Sequence, residues 1–265
     1  MRGSSQAVLL QANDGKHYVV KAPHNPNGRR TLVNEWLGYH ILNALHIATP
    51  DVRPIKVSAT FLQNNPGMSD AGNGKRTPMQ FGTHLASEYV GDGTTAVYDF
   101  LPTTLLREIN NVADFIGALT VDKWLANTDN RQCVFARSKR MPKARRVAYL
   151  IDHGQILNGR HWNFKDSPVL ALYMDRSVYA TVNGWDSFAP WIEQVKQLDL
   201  GFFETVASSI PSEWIDGDRL SFERLAERLI GRRQDIPVYV EALRESAANP
   251  FANWTRPRTQ ARIHS

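Results

Sequence analysis

Cysteine is almost missing from this chain: Cys133 is the only one in 265 residues, so no disulfide can form within it. A reducing compartment fits that usage, and with no paired Cys or His at ligand spacing around His153 and His161 a zinc centre is not expected. Long apolar runs are missing too, so no membrane-spanning helix is expected. The opening Met1-Arg-Gly-Ser-Ser-Gln6 lacks the apolar centre of a secretion signal. A cytoplasmic protein is the expectation. There is no internal repeat and no low-complexity tract. The charge excess is modest at +5, gathered between Arg137 and Arg146 and between Arg256 and Arg262. A solvated hairpin and a frayed tail account for those clusters. Trp162, Phe164, Trp185 and Trp191 read as packing rather than base-stacking groups, so nucleic-acid binding is not expected.

What is present has an order. Asn13-Asp-Gly15 between two β-prone runs, from Val8 and from His17 to Lys21, is a hairpin signal. Apolar residues at helical spacing predict a helix from Thr31 to Leu45. Strands are predicted from Val52 to Leu62 and from Thr83 to Val90, with a surface loop from Asn64 to Arg76 between them. From Ala96 onward helices are expected to dominate: one beginning at Leu101, one from Val112 to Leu125, and four more from Ala189 to Leu198, Gly201 to Ser208, Ser221 to Ile230 and Pro237 to Ala247. A strand-rich first part and a helix-rich remainder imply an α+β chain of two lobes, residues 1–92 and 93–250, with a cleft at their joint and a flexible basic tail over 251–265.

The chemistry concentrates in two short stretches that flank a strand pair. Leu125-Ala-Asn-Thr-Asp129-Asn-Arg131-Gln132-Cys-Val-Phe135 and Tyr149-Leu-Ile-Asp152-His-Gly154 each bring a carboxylate to a polar turn. Phosphoryl transfer needs one carboxylate to orient an attacking hydroxyl and another to hold the magnesium that bridges the phosphates. Asp129 suits the first task and Asp152 the second, with Gly154 allowing a sharp turn after the metal ligand. Ordinary alternatives exist: an Asx turn for Asp129, and a structural ion pair with Arg131 for Asp152. Upstream, Lys21 ends a β-prone run and Glu35 lies on the next helix, the arrangement of a phosphate-binding lysine held by a carboxylate; two surface charges would look the same. Arg131 either neutralises phosphate charge or pairs with Asp129 or Asp152.

These segments together resemble the HipA-like kinases, relatives of the phosphatidylinositol kinases within the protein-kinase-like fold. The resemblance rests on Gly3-Ser-Ser-Gln-Ala7, Tyr18-Val-Val-Lys21, Asn34-Glu-Trp-Leu-Gly38, Thr95 to Leu101, Phe115 to Leu119, Asp122-Lys-Trp124, Asp129 to Phe135, Ile151-Asp-His-Gly154 and Trp162 to Pro168, in that order. It implies a bilobal fold, ATP and Mg2+ as cofactors, and transfer of the γ-phosphoryl group to a hydroxyl, of a protein Ser or Thr, of the chain itself, or of a small alcohol. Ser4 and Ser5 would cradle phosphate through backbone N–H groups, although the strand that ordinarily precedes this loop in the family is missing. Val134 stands where the wider kinase pattern has a magnesium-binding Asn; Gln132 is the substitute, and Asn130 the second choice. His153 replaces the usual Phe. Two rivals follow from these departures: an ATP-binding pseudokinase that acts by interaction, and adenylyl transfer with the nucleotide reversed.

Overall fold

The Asn13-Asp-Gly15 turn closes a hairpin: Gly15 takes φ of +79°, and the Ala12 N–H donates to Lys16 O at 2.9 Å. It joins β1 (Val8–Gln11) to β2 (His17–Lys21) in a computed structural model that describes residues 6–69, 77–141 and 143–254. Helix α1 (Arg30–Ala44) follows, then β3 (Val52–Val57). The strand expected to reach Leu62 stops at Val57, because the Ser58 hydroxyl accepts from the Phe61 N–H at 3.0 Å and caps helix α2 (Ala59–Asn64). A short α3 (Pro66–Ser69) precedes β4 (Gly82–Glu88). The four strands form one antiparallel sheet in the order β1-β2-β4-β3. Pro54 lies on edge strand β3, where a missing N–H is tolerated. Tyr18 and Val20 point into a small core with Leu10, Val57, Leu62, Met79 and Ala86. Lys21, one residue out of phase, points to the other face.

Beyond residue 93 the chain contains a strand where helices were expected. β5 (Thr95–Tyr98) pairs antiparallel with β6 (Gln132–Ser138), which pairs with β7 (Val147–Ile151). The basic stretch from Arg137 to Arg146 spans the connection between β6 and β7, the hairpin anticipated from composition. Helices α4 (Thr103–Leu106) and α5 (Asp114–Trp124) lie between β5 and β6. After β7 the chain runs through 3-10 turns at Ile156–His161, Arg176–Tyr179 and Trp185–Ser187. It then enters α6 (Ala189–Gln197), α7 (Leu200–Ser209), α8 (Ser212–Ile215), α9 (Arg219–Arg232) and α10 (Ile236–Glu245).

Helix α5 is buried along all 11 of its residues, including Asp114, Asp122 and Lys123. Around it the larger core gathers Phe115, Trp124, Phe135, Leu150, Phe203, Phe222 and their neighbours. Helix α1 inserts Leu32, Leu37 and Ile41 into the same core, so the small sheet is fastened to the helical part by a helix from its own half of the chain. Short α8 adds a second fastening: the Trp214 Nε1–H donates to Thr83 O at 2.8 Å, and Glu213 accepts from the Thr83 N–H at 2.9 Å. The stretch expected to be a flexible tail from 251 is packed at its start: Phe251 is 2% exposed and stacks edgewise on Tyr179 and Phe188. Residues 255–265 lie outside the described chain.

Candidate active site

Alternation along β2 turns Lys21 toward α1, where its ammonium pairs with Glu35 Oε1 and lies 3.0 Å from Asp152 Oδ1. Burial alone would lower the lysine pKa; the two carboxylates outweigh it and raise the pKa above the usual lysine value. Glu35 is 5% exposed, and burial pushes its carboxyl above the usual range against the pull of Lys21. Its second oxygen accepts from the His153 N–H at 2.9 Å, which ties α1 to the turn after β7.

That turn differs from expectation in one respect. The residue in the left-handed region is Asp152, at φ +61°, not Gly154. Asp tolerates this conformation better than most side chains. Gly154 is needed for close approach instead: a Cβ there would sit 3.1 Å from Glu35 Oε1. Burial would raise the Asp152 pKa, but the Lys21 ammonium and neighbouring hydrogen bonds hold it down at about 2.

Asp129 and Gln132 complete the cluster. The Gln132 Nε2 lies 3.4 Å from Asp129 Oδ2 and 3.3 Å from Asp152 Oδ2, bridging the carboxylates of the two turns. Asp129 itself is seated by the Asn127 side chain, which accepts from the Asp129 N–H at 3.0 Å, and by the Asn130 N–H on Oδ1 at 2.8 Å. Lys21, Glu35, Asp129, Gln132 and Asp152 are therefore brought together from β2, α1, the loop before β6, the start of β6 and the turn after β7. Ser4 and Ser5 fall outside the described residues. Asn130 is exposed and only its backbone touches the cluster.

Arg131 is the correction. Its hydrogen bonds run neither to Asp129 nor to Asp152: the guanidinium is buried and grips both oxygens of Asp122, with Nε on Oδ2 at 2.8 Å. Nη1 donates to Ile151 O at 3.1 Å and to His153 Nδ1 at 2.9 Å. Because a guanidinium only donates, that ring nitrogen carries no proton, and burial holds the His153 pKa well below its usual value. Arg131 thus anchors the backbone on either side of Asp152 without reaching the cluster's open side. Cys133 is buried, its thiol pushed up to about 12, and is no nucleophile.

The donor set suits a hard divalent cation. Three carboxylates (Glu35, Asp129, Asp152) gather with one cation (Lys21), an excess of two negative charges, while Asp122 and Arg131 neutralise each other behind them. Among the described residues no three His, Cys, Asp or Glu side chains gather as a ready metal cage. Magnesium does not need one, since it is usually held by one or two carboxylates with waters and substrate phosphates.

A family model described as HipA-like kinase matches residues 1–229. The chain belongs to the HipA-like kinase family. No curated protein matches it. Among solved structures it is similar to the crystal structure of a Helicobacter pylori proinflammatory kinase, CtkA, at 15% identity and a TM-score of 0.54, covering 92% of this chain and 93% of that one. That likeness shows the fold: the four-stranded sheet is the small lobe of a kinase and the helical part the large one.

Within this HipA-like kinase, several positions quoted only as parts of motifs prove to hold the site. Asn34 is fully buried; its amide donates to Gly154 O, Ile156 O and Gly159 O at 2.9, 2.9 and 3.0 Å and accepts from Trp162 Nε1 at 2.8 Å. It thereby fixes a loop in which Leu157, Asn158 and Gly159 are all left-handed. Gly38, one helical turn after Glu35, leaves room for His153, whose Cβ would lie 2.5 Å from an added Cβ. Asp122 organises the loop that carries Asp129, accepting from Asn127 Nδ2 at 3.0 Å as well as from Arg131.

Proposed function

We propose that this HipA-like kinase is an ATP- and Mg2+-dependent phosphotransferase that moves the γ-phosphoryl group of ATP to a hydroxyl, of a protein Ser or Thr or of the chain itself. The observation that carries the reading is the Lys21 ammonium shared between Glu35 and Asp152, which joins the small lobe to the metal-binding turn of the large one. In this reading Lys21 binds the α- and β-phosphates and Glu35 keeps it in place. Asp152 and Gln132 would hold magnesium, the Gln132 amide turned over so that its oxygen is the ligand. Magnesium, when bound, offsets the charge that develops on the phosphates.

The acceptor oxygen forms a bond to the γ-phosphorus while the bond from that phosphorus to the β–γ bridging oxygen breaks. ADP leaves, and the acceptor proton passes to the Asp129 carboxylate. Arg131 acts through others: it fixes Ile151 and His153, and with them the left-handed Asp152. One feature favours a second reading, a pseudokinase: Val134 occupies the position of a magnesium-binding Asn in the wider pattern, and a Gln ligand costs more side-chain entropy to order.

ATP labelled separately at the α- and γ-positions distinguishes the readings, with wild type compared to Asp129→Ala and Asp152→Ala. γ-label on protein in the wild type, lost in both variants while Asp129→Ala still binds Mg-ATP, is the expected result. α-label would mean adenylyl transfer, and Mg-ATP binding without label in any protein would favour the pseudokinase.

A further inference from the structure

The chain has 31 Lys and Arg against 26 Asp and Glu, and the ten residues from Arg137 to Arg146 hold six of those cations and no acid. The rest of the chain therefore carries a net charge of −1. The ten span the connection between β6 and β7. Strand β6 runs 7 residues from Gln132 to Ser138, so this hairpin tip begins about 20 Å from the Lys21 cluster. No step of the chemistry above uses it. Such a run is ordinarily a loose, solvated loop, but here the backbone is held. The Lys139 N–H donates to Thr94 O at 2.7 Å and its Nζ to Gly93 O at 3.3 Å, which pins the tip to the joint between the lobes. The Ala144 N–H donates to Met141 O at 2.9 Å, and the Asn110 N–H to Arg146 O at 2.8 Å. Arg137 and Arg146 both meet Tyr98: Nη2 of the first lies 3.5 Å from its Oη, and the guanidinium of the second lies 5.5 Å from its ring centre.

The remaining charge points outward. Lys139, Arg140, Lys143 and Arg145 are exposed, and among the described residues no salt bridge joins any of them. Met141, in their midst, is 62% exposed. The segments that hold the tip carry acids instead. Asp92 precedes the Gly93–Thr94 contact, Asp99 follows Tyr98, and Glu108 lies two residues before Asn110; all three are exposed. A small positive spot with an apolar centre is thus bordered by negative surface.

We propose that the β6–β7 tip is a docking site for a short acidic segment of a partner polypeptide, in which carboxylates flank an apolar side chain. The proposal stands apart from the phosphotransfer reading above. The four outward cations pair with the partner's carboxylates, and the flexible Met141 covers the apolar side chain between them. Nucleic acid fits this spot less well. Its backbone is negative along its whole length, so a strand crossing the tip runs onto Asp92, Asp99 and Glu108. Nor do residues 137–146 include an aromatic side chain on which a base could stack, and the Tyr98 ring beneath them already has the Arg146 guanidinium over it. A short acidic segment ends before it reaches the negative border.

The test uses the full chain at physiological ionic strength, where surface charges more than about 8 Å apart are largely screened. The probe is a fluorescent peptide repeating Glu-Glu-Leu, compared with its Gln-Gln-Leu counterpart, duplex DNA and single-stranded RNA. One variant combines Arg140→Ser, Lys143→Ser and Arg145→Ser. A control combines Lys165→Ser, Arg219→Ser and Arg224→Ser, exposed cations elsewhere with the same change of net charge. The Glu-Glu-Leu peptide is expected to bind the wild type, to bind the tip variant about tenfold or more weakly, and to bind the control within about twofold of wild type. Met141→Ser is expected to weaken it about threefold. Absence of binding by the wild type overturns the proposal, as does an unchanged affinity in the tip variant or in Met141→Ser. Equal losses in the two triple variants overturn it too, since net charge alone would then explain the binding. So does a Gln-Gln-Leu peptide that binds as well. DNA or RNA that binds the wild type more tightly than the peptide, and loses affinity in the tip variant, would assign the tip to nucleic acid instead. Should the tip variant fail to fold, exposed Lys143→Glu decides: a loss of about fivefold supports the site, and an unchanged affinity overturns it.

Discussion

Asp152 combines a left-handed backbone with a carboxyl whose pKa is held down at about 2, and the second feature depends on Lys21 and Glu35, which are distant in sequence. The sign of its pH effect follows from that depression. Its folded pKa lies below the unfolded value of 3.8, so its stabilisation is present above that value and is lost as pH falls through the folded pKa. The shift corresponds to at most about 2 kcal/mol, less after allowance for partial exposure of the side chain. Urea unfolding of wild type and Asp152→Asn should show a stability gap at pH 6 that closes toward pH 2; a gap independent of pH would contradict this. Gly38→Ala tests the other side of the same contact. Its Cβ would press on His153, so a loss of about 1–3 kcal/mol and weaker Mg-ATP binding are expected in urea and calorimetric titrations.

Which of these residues gather was readable in the sequence for some and not for others. Asp129 and Asp152 stood out as carboxylates carried by apolar segments into polar turns, and Lys21 and Glu35 as a lysine ending a β-prone run with a carboxylate on the next helix; the structure places all four within one cluster. Arg131 was misjudged because its partner, Asp122, lies on the buried last turn of α5, where spacing suggests an ordinary surface charge.

Elements show a similar division. The hairpin β1–β2 was announced by a turn whose glycine takes positive φ, and α1 and α5 by dense apolar content. β5 was missed because four residues beside a glycine-rich turn carry little periodic signal; its pairing with β6 creates it. β3 was drawn too long because a single hydroxyl, that of Ser58, decides where strand gives way to helix. At this scale the Asp122–Arg131 pair joins α5 to β6. Arg131→Met should cost about 3–5 kcal/mol, since it strands a buried carboxylate, and Asp122→Asn combined with Arg131→Met should recover part of that loss in urea unfolding. If the double variant is no better than the single, the charge is not what matters. Trp214→Ala removes the fastening of α8 to β4 and should cost about 3–5 kcal/mol.

Over the whole molecule, the small sheet meets the large core through α1, α8 and the Lys21 cluster, so the lobe contact is built in part from the groups proposed to bind the nucleotide. Arg30 adds to this junction by pairing with Asp218. The arrangement makes magnesium-dependent ATP binding the most direct test of the central claim. Isothermal calorimetry with ATP should detect binding by the wild type that requires Mg2+. Lys21→Met and Asp152→Asn should each weaken it about tenfold or more, while Asp129→Asn binds normally and transfers no phosphoryl group. Absence of ATP binding in the wild type, or binding indifferent to both Lys21 and Asp152, would contradict the assignment of this cluster as the nucleotide site.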